Sequence, residues 1–184
     1  MAVARERGRF FLPNLEITRM RRRHLRRVLS IEGRVYPRPW SASLFLAELS
    51  QRNARSYLVA RHGSEVVGYA GMMFMGTEAH ITNIAVDPDF HGYKVGSRLL
   101  VAIINEALGR GVEAISLEVR VSNRIAQSMY EKFGFEAKGV RKGYYIETNE
   151  DALVMVVKDA AAGEFRQRLH SIQGELDRLG GGSA

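Results

Sequence analysis

Two short stretches of this sequence carry residue types that could do chemistry. Residues 86–100, VDPDFHGYKVGSRLL, have the pattern of a strand that passes through a glycine-bearing turn into a helix. Backbone N–H groups at a helix start point outward and the helix dipole favours negative charge, so the turn suits a diphosphate. Lys94 stands where such a turn would most want a second glycine. Taken alone, the pattern is a weak indication, because many such junctions carry a glycine for steric reasons.

The second stretch, LEVRVSNRIAQSMYEKFGF, combines a carboxylate with a phenol. Strand alternation puts Leu117 and Val119 on one face and leaves Glu118 on the other. Burying a carboxylate in the middle of a strand costs free energy, so we expect either that this face of the sheet is exposed to water or that the carboxylate has a function. Tyr130 falls on the apolar stripe of the following helix, so its hydroxyl needs a polar partner. Spacing alone favours a structural alternative, in which Glu118 meets an arginine and Tyr130 is a core residue.

Other kinds of site find no support in the sequence. The motifs GxxxxGK[ST], GxGxxG, GxSxG and HExxH are absent, and the five histidines lack ligand spacing. There is no cysteine, which excludes disulfides, thiolate metal sites and a cysteine nucleophile. We therefore expect no metal site.

Composition indicates a soluble globular protein. The 184 residues suffice for one domain plus tails, and 46% hydrophobic with 26% charged residues is ordinary for that class. No apolar run approaches the roughly 18 residues of a membrane helix, and the N-terminus is a poor signal peptide. We expect a cytoplasmic protein with no membrane contact.

The net charge of +7 is concentrated at one end of the chain. Residues 1–30 hold nine arginines and two glutamates, whereas the remaining residues, with 18 basic and 18 acidic side chains, are neutral. This favours a docking patch for RNA or an acidic protein tail. A solvated cationic arm and helix face is the alternative.

The periodicity of apolar residues predicts the element order β-α-α-β-β-β-α-β-α-β-β. The first helix, 22–31, is expected to turn its arginines to water, Ser41 to cap the second, and Asn123 or Ser122 to cap the fourth. The organisation we expect is a flexible basic arm (1–13), one domain (14–159), an amphipathic C-terminal helix (160–179) and a flexible tail (180–184). That helix is too short for an isolated coiled coil, so it packs on the domain or on a partner copy.

Read together, ITNIAVDPDFHGYKVGSRLL and LEVRVSNRIAQSMYEKFGFEAKGVRKGYY closely resemble the GNAT acetyltransferases. Within that family they look most like the RimI branch, the ribosomal-protein-alanine N-acetyltransferases, and RPWSASLF resembles the branch's early Pro-Trp-Ser segment. The resemblance spans about residues 15–158. It implies an α/β (α+β) fold: a central mixed, mostly antiparallel sheet, splayed at its middle strands and flanked by helices. The C-terminal helix is an addition.

The resemblance also implies an acetyl-CoA-dependent N-acetyltransferase and assigns its residues. Glu118 matches the general base, and Tyr130 matches the general acid that meets the leaving thiolate. Asn123 matches an asparagine that contacts the cofactor. The strand that pairs with the pantetheine arm of acetyl-CoA corresponds to Ile84, Ala85 and Val86. The loop that holds the pyrophosphate corresponds to Gly92, Tyr93, Lys94, Val95, Gly96 and Ser97. The segments that border the acceptor-peptide groove contain Tyr36, Trp40, Tyr144 and Tyr145.

Two positions depart from the family pattern Q/R-x-x-G-x-G/A. His91 replaces Gln or Arg, and Lys94 replaces the first glycine. Loss of that glycine could exclude the backbone conformation that the loop needs. A lysine ammonium can, however, reach a phosphate as a point charge, so we interpret Lys94 as part of a retained phosphate site.

The acceptor implied by the resemblance is the N-terminal amine of a protein such as an Ala-initiated ribosomal protein. Two alternatives stay open: a GNAT enzyme that acetylates lysine side chains or a small amine, and a non-catalytic GNAT-like module that binds acyl-CoA or RNA. We expect a monomer or weak dimer, with ribosome or RNA contact through the arginine-rich N-terminal segment.

Overall fold

The computed structural model describes residues 12–180, so most of the expected basic arm (1–11) and the tail (181–184) lie outside the described residues. The described part forms seven strands and five α-helices. The strands are β1 (Leu15–Arg19), β2 (Arg55–His62), β3 (Glu65–Met75), β4 (Glu78–Val86), β5 (Ala114–Arg120), β6 (Glu136–Tyr145) and β7 (Glu150–Val157). The helices are α1 (Leu25–Val35), α2 (Ala42–Ser50), α3 (Val95–Gly109), α4 (Arg124–Lys132) and α5 (Gly163–Gly180). None of these helices is long and apolar enough to cross a membrane.

The seven strands form one sheet in the order β1-β2-β3-β4-β5-β7-β6. Every neighbouring pair is antiparallel except β4 and β5, which are parallel and joined through α3. The element order predicted from the sequence is confirmed, and so is the mixed, mostly antiparallel sheet. The single parallel pair lies in the middle of the sheet.

The sheet is covered on both faces. Along β2, Leu58 and Ala60 join the core that includes α3, α4 and α5, whereas Tyr57 and Val59 join the core that includes α1 and α2. This division follows from the period of two in a strand, which sends successive side chains to opposite faces.

Local sequence signals explain how two of the site-forming helices start. The Ser41 hydroxyl accepts the Leu44 N–H at 3.2 Å and begins α2. Asn123 Oδ1 accepts the Ala126 N–H at 3.1 Å, so the asparagine is the cap that begins α4. Gly134 follows α4 with φ 94°, a left-handed conformation that glycine adopts at little cost.

The C-terminal helix α5 packs on its own domain. Phe165, Leu169, Ile172 and Leu176 are buried in the same core as α3. The Arg98 guanidinium, one turn into α3, donates to the Leu176 carbonyl at 2.5 Å. Of the two arrangements left open by the sequence, the structure therefore has the intramolecular one.

The expectation for the first helix needs two corrections. Residues Arg22–His24 form a 3-10 turn, and the α-helix runs from Leu25 to Val35. The expectation that its arginines face water is wrong for Arg27. The fully buried Asp87, after β4, accepts from Arg27 and from Arg34 at 2.5 Å each. A buried carboxylate requires such partners, and the packing of α1 beside the end of β4 supplies them.

Candidate active site

The middle of the sheet opens where its parallel pair ends. Strands β4 and β5 pair from Glu78 opposite Ala114 to Ile81 opposite Leu117, and the pairing goes no further. The register between β3 and β4 also shifts at this point, so that Thr82 is the extra residue of a β-bulge. Bulges bend a strand and end pairing. The remainder of β4 therefore presents a backbone edge that an extended ligand can pair with.

Gly71 on β3 makes this bulge possible. A Cβ at this position would lie 2.3 Å from Tyr57 Cε1, 2.4 Å from Asn83 Oδ1 and 2.7 Å from Thr82 Oγ1. Such separations are far below van der Waals contact, so no larger residue fits without displacing the bulge. The splay of the sheet thus depends on a glycine that the chemistry itself does not use.

A cleft of about 370 Å³ occupies the gap between the separated strands. It brings together residues that lie far apart in sequence. The expected site residues that line it are Tyr36, Trp40, Ile84, Glu118, Asn123, Tyr130, Tyr144 and Tyr145. The remaining expected cofactor residues, Ala85, Val86 and the turn 92–97, do not line it and lie at the end of β4 and the start of α3.

Glu118 is the first residue of β5 beyond its last pair with β4, and its side chain is only 7% exposed. Its Oε2 lies 2.9 Å from His80 Nε2, and its Oε1 lies 3.3 Å from an Arg141 guanidinium nitrogen. His80 Nδ1 in turn lies 2.9 Å from Ser116 Oγ. The carboxylate does meet an arginine, as the structural alternative supposed, yet it also lines the cleft. It is therefore placed to accept a proton from a ligand.

Tyr130 lines the same cleft from α4. Its ring packs edge-on against Phe135, with centroids 5.8 Å apart, and only 7% of the residue is exposed. Burial raises the pKa of Tyr130, so the phenol stays protonated at neutral pH. Because Tyr130 lines the cleft, this protonated phenol can donate to a ligand there.

The turn that precedes α3 keeps a left-handed backbone conformation at its lysine. Gly92 has φ 86° and Lys94 has φ 59°, so both are left-handed. Lys94 is the N-cap and makes no side-chain cap; the first helical bond joins the Arg98 N–H to the Lys94 carbonyl at 3.0 Å. The N–H groups of the first turn precede that bond and point outward. His91, which replaces the family's Gln or Arg, holds the turn through Nε2, 3.1 Å from the Val86 carbonyl oxygen.

Aromatic residues form the wall of the cleft on the side of α1 and β6. The Tyr36 hydroxyl donates to the Ile84 carbonyl at 3.2 Å, and burial raises the pKa of Tyr36. Tyr144 and Tyr145 pack edge-on at 5.1 Å. The Arg120 guanidinium lies 3.9 Å above the Tyr145 ring, and burial raises the pKa of that tyrosine to about 12.

Several site residues were missed by the sequence-based reasoning. Arg120 bonds Glu147, Thr148 and Glu150 and so fixes the loop between β6 and β7 against the cleft. Buried Glu32 accepts from the Tyr69 hydroxyl and, at 3.3 Å, from the Trp40 N–H. His80 and Asn83 line the cleft from β4. Strand alternation would place His80 and Asn83 on opposite faces, so only the bulge at Thr82, which the sequence does not reveal, brings both to the cleft.

Asn83 carries an unpaired donor. Its Nδ2 is buried and has no hydrogen-bond partner in the described part of the chain, while its Oδ1 accepts from Thr82 Oγ1 at 3.1 Å. Buried polar groups in native proteins are nearly always paired. A ligand oxygen in the cleft would satisfy this donor.

Comparisons with known proteins agree on one kind of protein. The model of the acetyltransferase (GNAT) family matches residues 25–135. A putative ribosomal protein bS18-alanine N-acetyltransferase of Bacillus subtilis is 36% identical over 141 residues, which cover 77% of this chain and 93% of that protein. The Escherichia coli bS18-alanine N-acetyltransferase is 36% identical over 129 residues, covering 69% of this chain and 86% of its own. The crystal structure of the ribosomal-protein-S18-alanine N-acetyltransferase from Escherichia coli superposes with a TM-score of 0.73 at 32% identity, covering 82% and 97% of the two chains.

Proposed function

Because the chain belongs to the GNAT acetyltransferase family, we propose that it transfers the acetyl group of acetyl-CoA to the N-terminal amine of a protein. One observation carries the proposal. Glu118 and Tyr130, a carboxylate and a protonated phenol, face one cleft at the point where β4 and β5 separate. A base for the amine and an acid for the leaving thiolate are the two groups that acetyl transfer needs.

The described residues fit acetyl-CoA, the acetyl donor of this family. The backbone of Ile84, Ala85 and Val86 belongs to the part of β4 that β5 leaves unpaired, and it would hold the pantetheine arm by strand-like hydrogen bonds. The start of α3 with Lys94 would hold the diphosphate. The orphan Asn83 Nδ2 offers a donor to a carbonyl oxygen.

The chain's own groups handle the protons of the reaction. When bound, acetyl-CoA supplies an acetyl thioester. Glu118 takes a proton from the incoming amine, directly or through a water, so that the nitrogen lone pair can attack the acetyl carbon. As the new C–N bond forms, the nitrogen loses its second proton to solvent; as the C–S bond breaks, Tyr130 donates its proton to the sulfur and is then reprotonated from solvent. Direct attack by the amine, without a covalent acyl-enzyme, is consistent with the absence of any cysteine.

A carboxylate base such as Glu118 can deprotonate an N-terminal amine more easily than a lysine side chain. An α-amine has a pKa of about 8 and lysine about 10.4, so at pH 7 roughly a tenth of the former but under a thousandth of the latter is neutral. The difference corresponds to about 3 kcal/mol of deprotonation free energy. We propose an alanine-initiated ribosomal protein as acceptor, because the similar proteins act on the alanine of bS18. Tyr36, Trp40, Tyr144 and Tyr145 would border its first residues.

The test uses the purified full-length protein with acetyl-CoA and three acceptors. These are an Ala-initiated peptide with the bS18 N-terminus, the same peptide with a blocked N-terminus and a free lysine, and a polyamine. Mass spectrometry should find acetylation of the first alone, and Glu118→Gln should lower that rate about 100-fold or more. Acetylation of the lysine or polyamine would support the alternative GNAT activities. Acetyl-CoA binding without any transfer would support a non-catalytic module.

We also propose that the enzyme is cytoplasmic and that an arginine surface at the start of α1 contacts ribosomal RNA. Arg21, Arg22 and Arg26 are exposed and form no ion pair within residues 12–180. Such a surface attracts phosphate and loses affinity with salt. The variant Arg21→Gln/Arg22→Gln/Arg26→Gln should weaken ribosome co-sedimentation at low salt, whereas Arg52→Gln, also exposed, should not. Equal co-sedimentation of the wild type and both variants at every salt concentration would rule out the proposed RNA contact.

A further inference from the structure

We propose that the C-terminal end of α5 limits how tightly the enzyme holds acetyl-CoA, because Glu175 and Asp177 occupy cations beside the turn 92–97. The inference deepens the proposed function and rests on its assignment of the diphosphate to that turn. The match to the family model ends at residue 135, so α5 is a feature of this chain that the model does not describe.

The packing of α5 brings its C-terminal end to the start of α3. Asn105 Nδ2, late in α3, donates to Gln173 Oε1 at 3.4 Å, whereas the Arg98 guanidinium, early in α3, donates to the Leu176 carbonyl at 2.5 Å. The two helices therefore run in opposite directions. A helix carries partial positive charge at its start and partial negative charge at its end. The start of α3 thus favours a phosphate, and the adjacent end of α5 disfavours it.

Two acidic side chains at this end of α5 pair with cations of the neighbouring helices. Glu175 Oε2 lies 2.7 Å from Lys132 Nζ, and Asp177 Oδ1 lies 3.7 Å from an Arg98 guanidinium nitrogen. The hydrogen bond from Lys132 and, more weakly, the charge of Lys94 lower the pKa of Glu175, so this carboxylate is ionised at neutral pH. The positive charges of Lys94, Arg98 and Lys132 are therefore partly neutralised by α5.

Lys132 is near the turn because α4 runs past it. A Cβ on Gly96 would lie 3.5 Å from Met129 Sδ, which places this part of α4 against the first turn of α3. Met129 and Lys132 are three residues apart and share a helix face. The side chains of Lys132 and Glu175 are each about half exposed. An anion that enters from solvent can therefore compete with the carboxylate for the lysine.

A phosphate at the turn meets two effects of α5 that act in the same direction. The carboxylates repel the phosphate, and they hold the cations that would otherwise attract it. At exposed positions each such charge changes affinity by about two- to fivefold. The product CoA carries the same diphosphate as acetyl-CoA. The end of α5 should therefore weaken both complexes equally and favour the exchange of product for substrate.

Titration calorimetry of the full-length protein with acetyl-CoA and with CoA tests this role of α5. Glu175→Gln/Asp177→Asn removes both charges at nearly constant size and should tighten both ligands by about three- to tenfold. Raising the salt concentration from 0.1 to 0.5 M should shrink the gain, because salt screens exposed charges. The matched control is Glu164→Gln, an exposed glutamate of the same helix. It precedes Glu175 by eleven residues, roughly 16 Å along the helix, and should bind like the wild type.

The sign of the change separates competition from support. If Glu175 and Asp177 instead held Lys132 and Arg98 in place for the phosphates, the double variant would bind acetyl-CoA more weakly. Weaker or unchanged affinity would overturn the inference, and so would an equal gain in Glu164→Gln. The single variant Glu175→Gln should give part of the gain with an unchanged thermal unfolding midpoint, which shows that α5 stays packed.

Binding and transfer together distinguish failure of this inference from failure of the proposed function. Calorimetry needs no acceptor, so the gain in affinity is measured whether or not a peptide is acetylated. Tighter binding without peptide acetylation would overturn the proposed function and support the role of α5. Peptide acetylation without any gain in affinity would overturn the role of α5 alone. No acetyl-CoA binding by the wild type would overturn both.

Discussion

Replacing Lys94 by glycine would separate two effects of this residue: the backbone strain that lowers folding stability, and the positive charge that contributes to acetyl-CoA affinity. Lys94 has φ 59° and ψ 17°, the left-handed conformation, at the N-cap of α3. An L-residue in this region is strained, whereas glycine is not. The family pattern has glycine at this position, so the variant Lys94→Gly restores the residue that this left-handed conformation favours. Lys94→Ala removes the same ammonium but keeps the strain.

The two contributions have opposite signs. The left-handed conformation costs a residue with a Cβ about 1–2 kcal/mol. Glycine loses more conformational entropy on folding, about 0.5–1 kcal/mol. Lys94→Gly should therefore raise the free energy of unfolding by about 0.5–1 kcal/mol, while Lys94→Ala should leave it nearly unchanged. An exposed lysine beside a phosphate contributes at most about 1 kcal/mol, so both variants should bind acetyl-CoA about two- to fivefold more weakly.

Urea unfolding and titration calorimetry measure these two quantities. Lys94→Arg keeps the charge and the strain, and should resemble the wild type in both measurements. Raising the salt concentration from 0.1 to 0.5 M should shrink the affinity difference between wild type and Lys94→Ala, because salt screens exposed charges. A marked increase in acetyl-CoA affinity in Lys94→Gly would show that the lysine hinders the phosphate site, and would refute the interpretation of Lys94 as a ligand.

Three further predictions concern the cleft. Tyr130→Phe should lower kcat about 100-fold while acetyl-CoA affinity, measured by calorimetry, stays within about twofold; equal losses would indicate a structural tyrosine. Gly71→Ala should lower the free energy of unfolding in urea by about 2–4 kcal/mol, because the new Cβ collides with the bulge. The control Gly33→Ala has open space around it in α1 and should raise the free energy of unfolding by about 0.5–1 kcal/mol. Burial raises the pKa of Glu32, so its contribution to stability is present at low pH and is lost as pH rises through the folded-state pKa. Glu32→Gln should accordingly flatten the decline that begins near pH 4.5, the ordinary pKa of a glutamate, in urea titrations. An unchanged decline would contradict the assignment to this carboxyl.

The splayed sheet also links the two halves of the site. Asp87 directly follows β4, whose free edge we propose to pair with the pantetheine arm, and its partners Arg27 and Arg34 come from the helix that leads to Tyr36. The proposed acceptor wall and the proposed cofactor strand are thus joined by ion pairs to one buried carboxylate. A displacement of α1 would reach both sites, because a buried carboxylate tolerates no loss of its partners.

The sequence by itself determined the order of the elements and singled out some of the residues that line the cleft, Glu118 and Tyr130 among them. Helical and strand periodicity, cap residues such as Ser41 and Asn123, and the alternation that exposes Glu118 all depend on neighbours a few positions away. The family resemblance added roles for the residues, and the structure brings Glu118, Tyr130 and the four aromatic residues to one cleft.

Only the tertiary structure decided the contacts made across strands and between layers. His80 meets Glu118, 38 positions later in the chain, because the register of β4 and β5 puts it opposite Ser116. The salt bridges of Asp87 and the unpaired Asn83 Nδ2 likewise depend on how helices and strands pack. Register and packing are settled by the whole sheet and its two cores, and a shift of one residue would reverse every side chain of a strand. No local pattern contains that information.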